Sequence, residues 1–175
     1  MQKLMKKNIL QCMIILFKTM MSFGVNKQTE LIGLKNLQKM KKNYWLLKSE
    51  PDAWSWDNQV KEGASMWDGV RNYQARNNLK EMKRNDLCFF YHSVTEKSIV
   101  GIVKVVKEYY PDPTDKTDRF VVVDVKAIKK LKNPVSLDQI KENNRLQDIA
   151  LVKQSRLSVM PLKKTEWDII IKMSN

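Results

Sequence analysis

Ser98-Ile99-Val100-Gly101-Ile102-Val103-Lys104-Val105-Val106-Lys107-Glu108-Tyr109 is followed by Pro111-Asp112-Pro113-Thr114-Asp115 and then by Phe120-Val121-Val122-Val123-Asp124-Val125-Lys126-Ala127-Ile128. Runs this rich in β-branched residues favour extended chain. The proline-bracketed segment between them forms a rigid turn, so a long β-hairpin is expected, with Gly101 permitting a bulge or bend. Upstream, Leu87 to His92 and Tyr44 to Lys48 read as further buried strands. Between these two strands, Ser55 is placed to N-cap a helix running through Glu62 with Gly63 as its stop. A second helix, Asn72 to Lys83, turns Leu79 and Met82 inward, on a face more polar than a usual core helix. Downstream, Ser136 caps a helix over Leu137–Glu142, Leu157 to Leu162 forms a closing strand, and Thr165 caps a last helix with Trp167, Ile170 and Ile171 on one side. Strands and short helices alternate without a βαβ rhythm, which indicates an α+β fold around a small curved sheet or barrel.

A chain of 175 residues with 43% hydrophobic content can bury one good core and is too short for two large ones. The net charge of +13 raises the question of a polyanionic partner, because clustered Lys and Arg displace counterions from phosphates. Much of that surplus lies in residues 1–43, where nine lysines face a single acid, Glu30. Two readings of the charge stay open: lysines scattered over a solvated surface, or a basic patch. The segment itself places Lys3, Lys6 and Lys7 before the apolar run Ile9–Phe17. Gln11 and Lys18 interrupt and end that run, and no small-residue cleavage pattern follows it. Residues 1–43 are therefore expected to be an extension outside the fold, with a membrane-surface helix as the other reading, no stable membrane association, and Met40 as an alternative start. The folded domain is expected over residues 44–175. Cys12 and Cys88 differ so much in setting that no disulfide is expected, and the chain is assigned to the reducing cytoplasm.

The five glycines never cluster, so neither a P-loop nor a dinucleotide-binding turn can be drawn. A single histidine, His92, without paired cysteines gives no ligand set for zinc, and no metal or cofactor is expected. Cys88 and His92 lie four residues apart on one strand, with no means of meeting as nucleophile and base. Glu50 and Asp68 form a conceivable carboxylate pair, yet each has a plainer use in bonding backbone amides near a turn.

Three segments carry the chemistry that is present: Lys48-Ser49-Glu50-Pro51, Trp67-Asp68-Gly69-Val70-Arg71-Asn72-Tyr73-Gln74-Ala75-Arg76-Asn77, and Phe89-Phe90-Tyr91-His92-Ser93. Aromatic faces beside hydrogen-bonding side chains suit a nucleobase, whose flat faces stack while its edge needs donors and acceptors. Trp67 and Tyr91 can supply faces; Ser49, Asn72 and Ser93 can pair with an edge; Arg71 or Arg76 can reach a phosphate. Taken singly, each aromatic is as readily a core residue and each arginine a surface one. The gathering of polar groups among aromatics shifts the balance, because such groups are costly to bury without a partner.

These segments resemble the EVE domain, the PUA-like family that includes the thymocyte nuclear proteins and bacterial relatives. The likeness also takes in Tyr44-Trp45-Leu46-Leu47, Gly101-Ile102, Tyr110-Pro111-Asp112-Pro113-Thr114, Arg156-Leu157-Ser158-Val159 and Glu166-Trp167. It implies a curved β-sheet or barrel flanked by helices, related to YTH and ASCH domains, and a cleft that admits a flipped, modified base in DNA or RNA. It implies a reader rather than an enzyme. The site expected on the combined reading has Ser49, Trp67, Asn72, Tyr91 and Ser93 around the base, and Lys48, Arg71, Arg76 and Arg156 near sugar and phosphate. The alternatives are an enzyme working through Glu50, His92 or Asp68, and a protein-interaction module with a vestigial pocket. The loop after Thr114 is shorter here than in many relatives, and residues 1–43 have no counterpart in the family.

Overall fold

A computed structural model describes residues 42–175; the expectations for the extension before them lie outside the described residues. The hairpin is present as β4 (Ser98–Pro111) and β5 (Val121–Ser136). β5 runs eight residues past Ile128, the end expected from its β-branched pattern, and leads straight into the Ser136 cap. Among the described residues, the strand that pairs with its far side is β2 (Ala64–Met66), opposite Asp124–Lys126. Beyond that point no further strand of the described residues pairs with this edge of β5; Lys129, Lys130 and Lys132 stay solvated, Pro134, which has no N–H, is tolerated, and the Asn133 N–H donates to the Ser174 carbonyl at 3.1 Å.

With β1 (Tyr44–Ser49), β3 (Leu87–His92) and β6 (Val159–Leu162), the strands form one mixed sheet in the order β2-β5-β4-β3-β1-β6. β1 and β3 are its parallel pair, and all other neighbours are antiparallel. A parallel pair needs a crossover. Here it is made by α1 (Trp56–Glu62), β2 and α2 (Tyr73–Glu81). The remaining helices are α3 (Leu137–Glu142), α4 (Ala150–Lys153) and α5 (Lys164–Met173). The short elements β2 and α4 escape a reading based on periodicity, because three or four residues define no period.

Two of the three expected caps are in place: Ser55 and Ser136 accept from the backbone N–H groups of Asn58 and Gln139. Asn72, expected at the base edge, caps α2 instead, accepting from the Ala75 N–H. Thr165 is not a cap: α5 begins at Lys164, and the Glu166 carboxylate reaches back to the Lys163 N–H at 2.7 Å, drawing the chain into the helix before Thr165 is reached.

Helices cover both faces of the sheet, so consecutive residues Trp45, Leu46 and Leu47 are all buried. On one face Phe89 stacks on Trp167 of α5, with ring centroids 3.8 Å apart. On the other, Phe90 receives the edges of Trp56 and Trp67 at 5.5 and 5.4 Å. Gly101, opposite Phe90, sits at the expected register shift and serves a second purpose. A Cβ there would lie 2.2 Å from the Trp56 ring, which is itself buried. Gly101→Ala is therefore expected to cost about 1–3 kcal/mol through overpacking. A denaturant midpoint within error of the parent's would contradict this close approach.

Candidate nucleic-acid interface

The C-terminal ends of β1 and β3 lie side by side, with Ser49 in register with His92. Over them open two adjoining hollows of about 610 and 580 Å³, within the range of small-ligand sites. Both are lined by Lys48, Glu50, Gly69 and Ser158, so they form one continuous cleft. Tyr91, Ser93 and Arg156 line the first hollow; Ser49, Trp54 and Trp67 line the second.

Each wall is held by the chain around it. Trp67 continues the β2 ladder, its N–H donating to the Val123 carbonyl at 2.8 Å, while its ring meets Phe90 edge-on. Little of the Trp67 or Tyr91 ring is left to solvent, whereas Trp54 is only partly buried. The Trp54 indole N–H donates to Gln59 Oε1 at 3.1 Å. Gln59 is wholly buried and fully engaged: Oε1 also accepts from Ser65, and Nε2 donates to the Gly63 and Val125 carbonyls. This one amide joins α1, β2 and β5 behind the second hollow.

The Ser49 hydroxyl donates to the Trp54 carbonyl at 2.7 Å, and the Ser93 hydroxyl to the Ser49 carbonyl at 3.0 Å. Both protons are thus spent within the protein, which leaves hydroxyl lone pairs as acceptors. Lys48 donates to the Ser155 carbonyl at 2.6 Å and lies 5.9 Å from the centroid of the Tyr91 ring. Partial burial pulls the Lys48 ammonium below the ordinary lysine value. Burial, with Asp138 adding to it, pushes the Tyr91 phenol up to about 12, so at neutral pH it remains a neutral hydroxyl able to donate. The cleft therefore offers aromatic surface, hydroxyl acceptors and a cation in one place.

Of the groups considered for catalysis, His92 and Cys88 are engaged or buried away from the cleft. His92 is buried; its Nε2 accepts from the Trp56 N–H at 3.1 Å and its Nδ1 lies 2.6 Å from Glu96. Burial raises the Cys88 thiol well above its ordinary value, which disfavours the thiolate a nucleophile needs. Glu50 and Asp68 do share the second hollow, both exposed.

Residues 43–173 match the model of the EVE domain. The chain belongs to the EVE domain family. It is 36% identical over 180 residues to thymocyte nuclear protein 1 of Mus musculus, covering 81% of this chain and 76% of that protein. The NMR structure of Rpa0253 from Rhodopseudomonas palustris is 51% identical and superposes with a TM-score of 0.72, covering 75% of this chain and 92% of the other. The crystal structure of human THYN1 protein in complex with DNA containing 5-methylcytosine is 32% identical, with a TM-score of 0.71 over 77% of this chain and 98% of the other. The structure thus agrees with the α+β, PUA-like architecture that the resemblance implies.

In this EVE domain three of the expected site residues stand outside the cleft lining. Asn72 is the α2 N-cap, a role worth about 1 kcal/mol, with its side-chain oxygen taken by the Ala75 N–H at 3.0 Å. Arg71 pairs with the buried Asp112 carboxylate at 2.8 Å and donates to Thr114 at 3.0 Å. Burial would raise the Asp112 carboxyl, but the Thr114 hydrogen bonds and the Arg71 guanidinium outweigh it and hold the carboxyl below its usual value. The Pro111–Thr114 turn thereby anchors Arg71. Arg71 lies over the buried Phe120, Phe120 stacks on Tyr73, and Arg76 lies over Tyr73, so cations and aromatics alternate outside the cleft lining. Cleft residues missed from sequence include Trp54, Ser158, Val94 and Lys97. A tryptophan just after the Glu50-Pro51 end of β1 was the available signal.

Proposed function

We propose that the cleft takes a single modified base extruded from nucleic acid, and that this EVE domain acts by binding rather than turnover. The observation that carries the reading is the meeting, at the ends of β1 and β3, of aromatic walls, hydroxyl acceptors and the half-buried Lys48. The human relative crystallised with DNA containing 5-methylcytosine makes that base in DNA the first ligand to test. Trp54 offers the open stacking face, Trp67 and Tyr91 close the floor, Ser49 and Ser93 meet the base edge, and Lys48 and Arg156 lie toward the sugar and phosphate. Arg71 and Arg76 contact the backbone outside the cleft.

The test is fluorescence anisotropy with matched oligonucleotides carrying cytosine or 5-methylcytosine. Trp54→Ala is expected to weaken binding of the methylated ligand by about 1–3 kcal/mol, the worth of one stacked base. Arg156→Ala should weaken both ligands about equally and reduce the slope of log affinity against log salt by about 1. Equal affinity of the parent for both ligands, or conversion of the methylated base to a product, would overturn the reading.

A further inference from the structure

The turn joining β3 to β4 forms part of the rim of the first hollow, and it is strained. Val94 has φ +65° and Lys97 φ +45°. A β-branched residue in the left-handed region is a rare outlier, since Cβ crowds the backbone there. The Thr95 N–H donates to the Ser93 carbonyl at 2.9 Å across Val94, closing a tight γ-turn of the strained, positive-φ hand. Both ends of the turn are fixed: the Ser93 N–H donates to the Ser49 carbonyl at 2.8 Å, His92 meets Glu96 at 2.6 Å, and the Leu137 N–H donates to the Lys97 carbonyl at 2.8 Å. Strain of this kind persists only where the surroundings over-determine it, and it concentrates at functional sites.

The strain places an apolar side chain in water. Val94 is 61% exposed, and of the five large apolar side chains that stand most in solvent among the described residues, it alone lines the cleft. The same hollow is lined by Lys48, Lys97 and Arg156, against one carboxylate, Glu50. An apolar tip flanked by cations suits one occupant, the gap in a base stack with phosphates on either side. Proteins that unstack duplexes do so by inserting apolar wedges between base steps.

We infer that Val94 is such a wedge: it enters the duplex and fills the space vacated by the base that the cleft takes. The inference rests on the base-reading assignment above and adds that the preferred ligand is paired nucleic acid, opened by the protein itself. The turn's rigidity presents the side chain without further ordering on binding.

The experiment compares the full chain with its Val94→Gly, Val94→Asn and Val94→Ile variants. The probes are DNA duplexes with and without one 5-methylcytosine and the same strands unpaired. A 2-aminopurine beside the methylcytosine reports unstacking in the duplex. Glycine and asparagine accept φ near +65°, so both variants should melt at or above the parent temperature. Both are expected to lose on the order of tenfold in duplex affinity, together with the 2-aminopurine signal, while single-strand affinity falls less than about threefold, because only the duplex needs its stack repaired. Val94→Ile, which keeps the wedge, should hold duplex affinity within about threefold of the parent. Equal losses on both ligands, no loss on the duplex, or an isoleucine variant as weak as the glycine one would overturn the wedge while leaving the base-reading function standing. A parent that does not distinguish methylated from unmethylated DNA in either form would overturn both.

Discussion

Truncating Trp167 to alanine is expected to destabilise the domain by about 3–5 kcal/mol, the usual cost of removing a buried indole. The ring is 6% exposed, stacks on Phe89 at 3.8 Å with an interplanar angle of 17°, and meets Tyr44 at 4.9 Å. With Ile170 it forms the buried side of α5, so its loss detaches the helix that closes this face of the sheet. A fall of the denaturant midpoint with unchanged slope would identify a change in stability alone. Trp167→Phe should recover part of the loss, because a ring still stacks on Phe89. A destabilisation below about 1 kcal/mol would show that α5 contributes far less to the core than its contacts indicate.

Asp86→Ala is expected to be of comparable severity, for a different reason. The carboxylate is buried and accepts from the Asn43 N–H, the Trp45 indole N–H and the Lys83 N–H, each at 3.0 Å. Two of those donors belong to the start of β1 and the third to the segment after α2, so one side chain ties residues 43–45 to residues 83–86. The Trp45 indole N–H would be left buried and unpaired, which costs about 1–3 kcal/mol, and the part-buried Asn43 and Lys83 N–H groups would lose their charged acceptor as well. Asp86→Asn should fall between parent and alanine variant, since its oxygen still accepts while its NH₂ faces donors. Methylated-DNA affinity should fall with stability, because Asp86 secures the ends of β1 and β3 opposite those that carry Lys48, Ser49, Tyr91 and Ser93. A slip of one residue would turn these side chains to the wrong face. Alanine variants with parental melting and binding would remove Asp86 from this role.

Local order was legible wherever a short stretch of chain settles its own conformation. Ser55 and Ser136 cap helices because a small polar side chain can reach a backbone N–H two or three residues on. Leu79 and Met82 are wholly buried as expected, although α2 ends at Glu81 and Met82 is its C-cap. The same logic misplaced the start of α5, where Thr165 competes with a Glu166 that reaches backward. It also stopped β5 at Ile128, because the lysines beyond read as solvated chain until β4 is known to pair with them.

The polar and aromatic segments of the site were visible in the sequence, but their partition was not. Asn72 and Trp67 lie five residues apart in one segment, yet one caps a helix and the other lines the cleft. Arg71 is drawn away by Asp112, 41 residues distant in sequence, and Trp54 enters the site only because the crossover folds over the end of β1. Composition and periodicity by themselves determined the α+β class, the hairpin, most caps and the chemical character of the site, since each follows from forces acting within a few residues. The tertiary structure alone decided which side chains share the cleft, which are consumed by buried partners, and that Val94 is held strained at its rim. Those outcomes depend on contacts between segments far apart in sequence, formed only when the sheet brings the ends of β1 and β3 together.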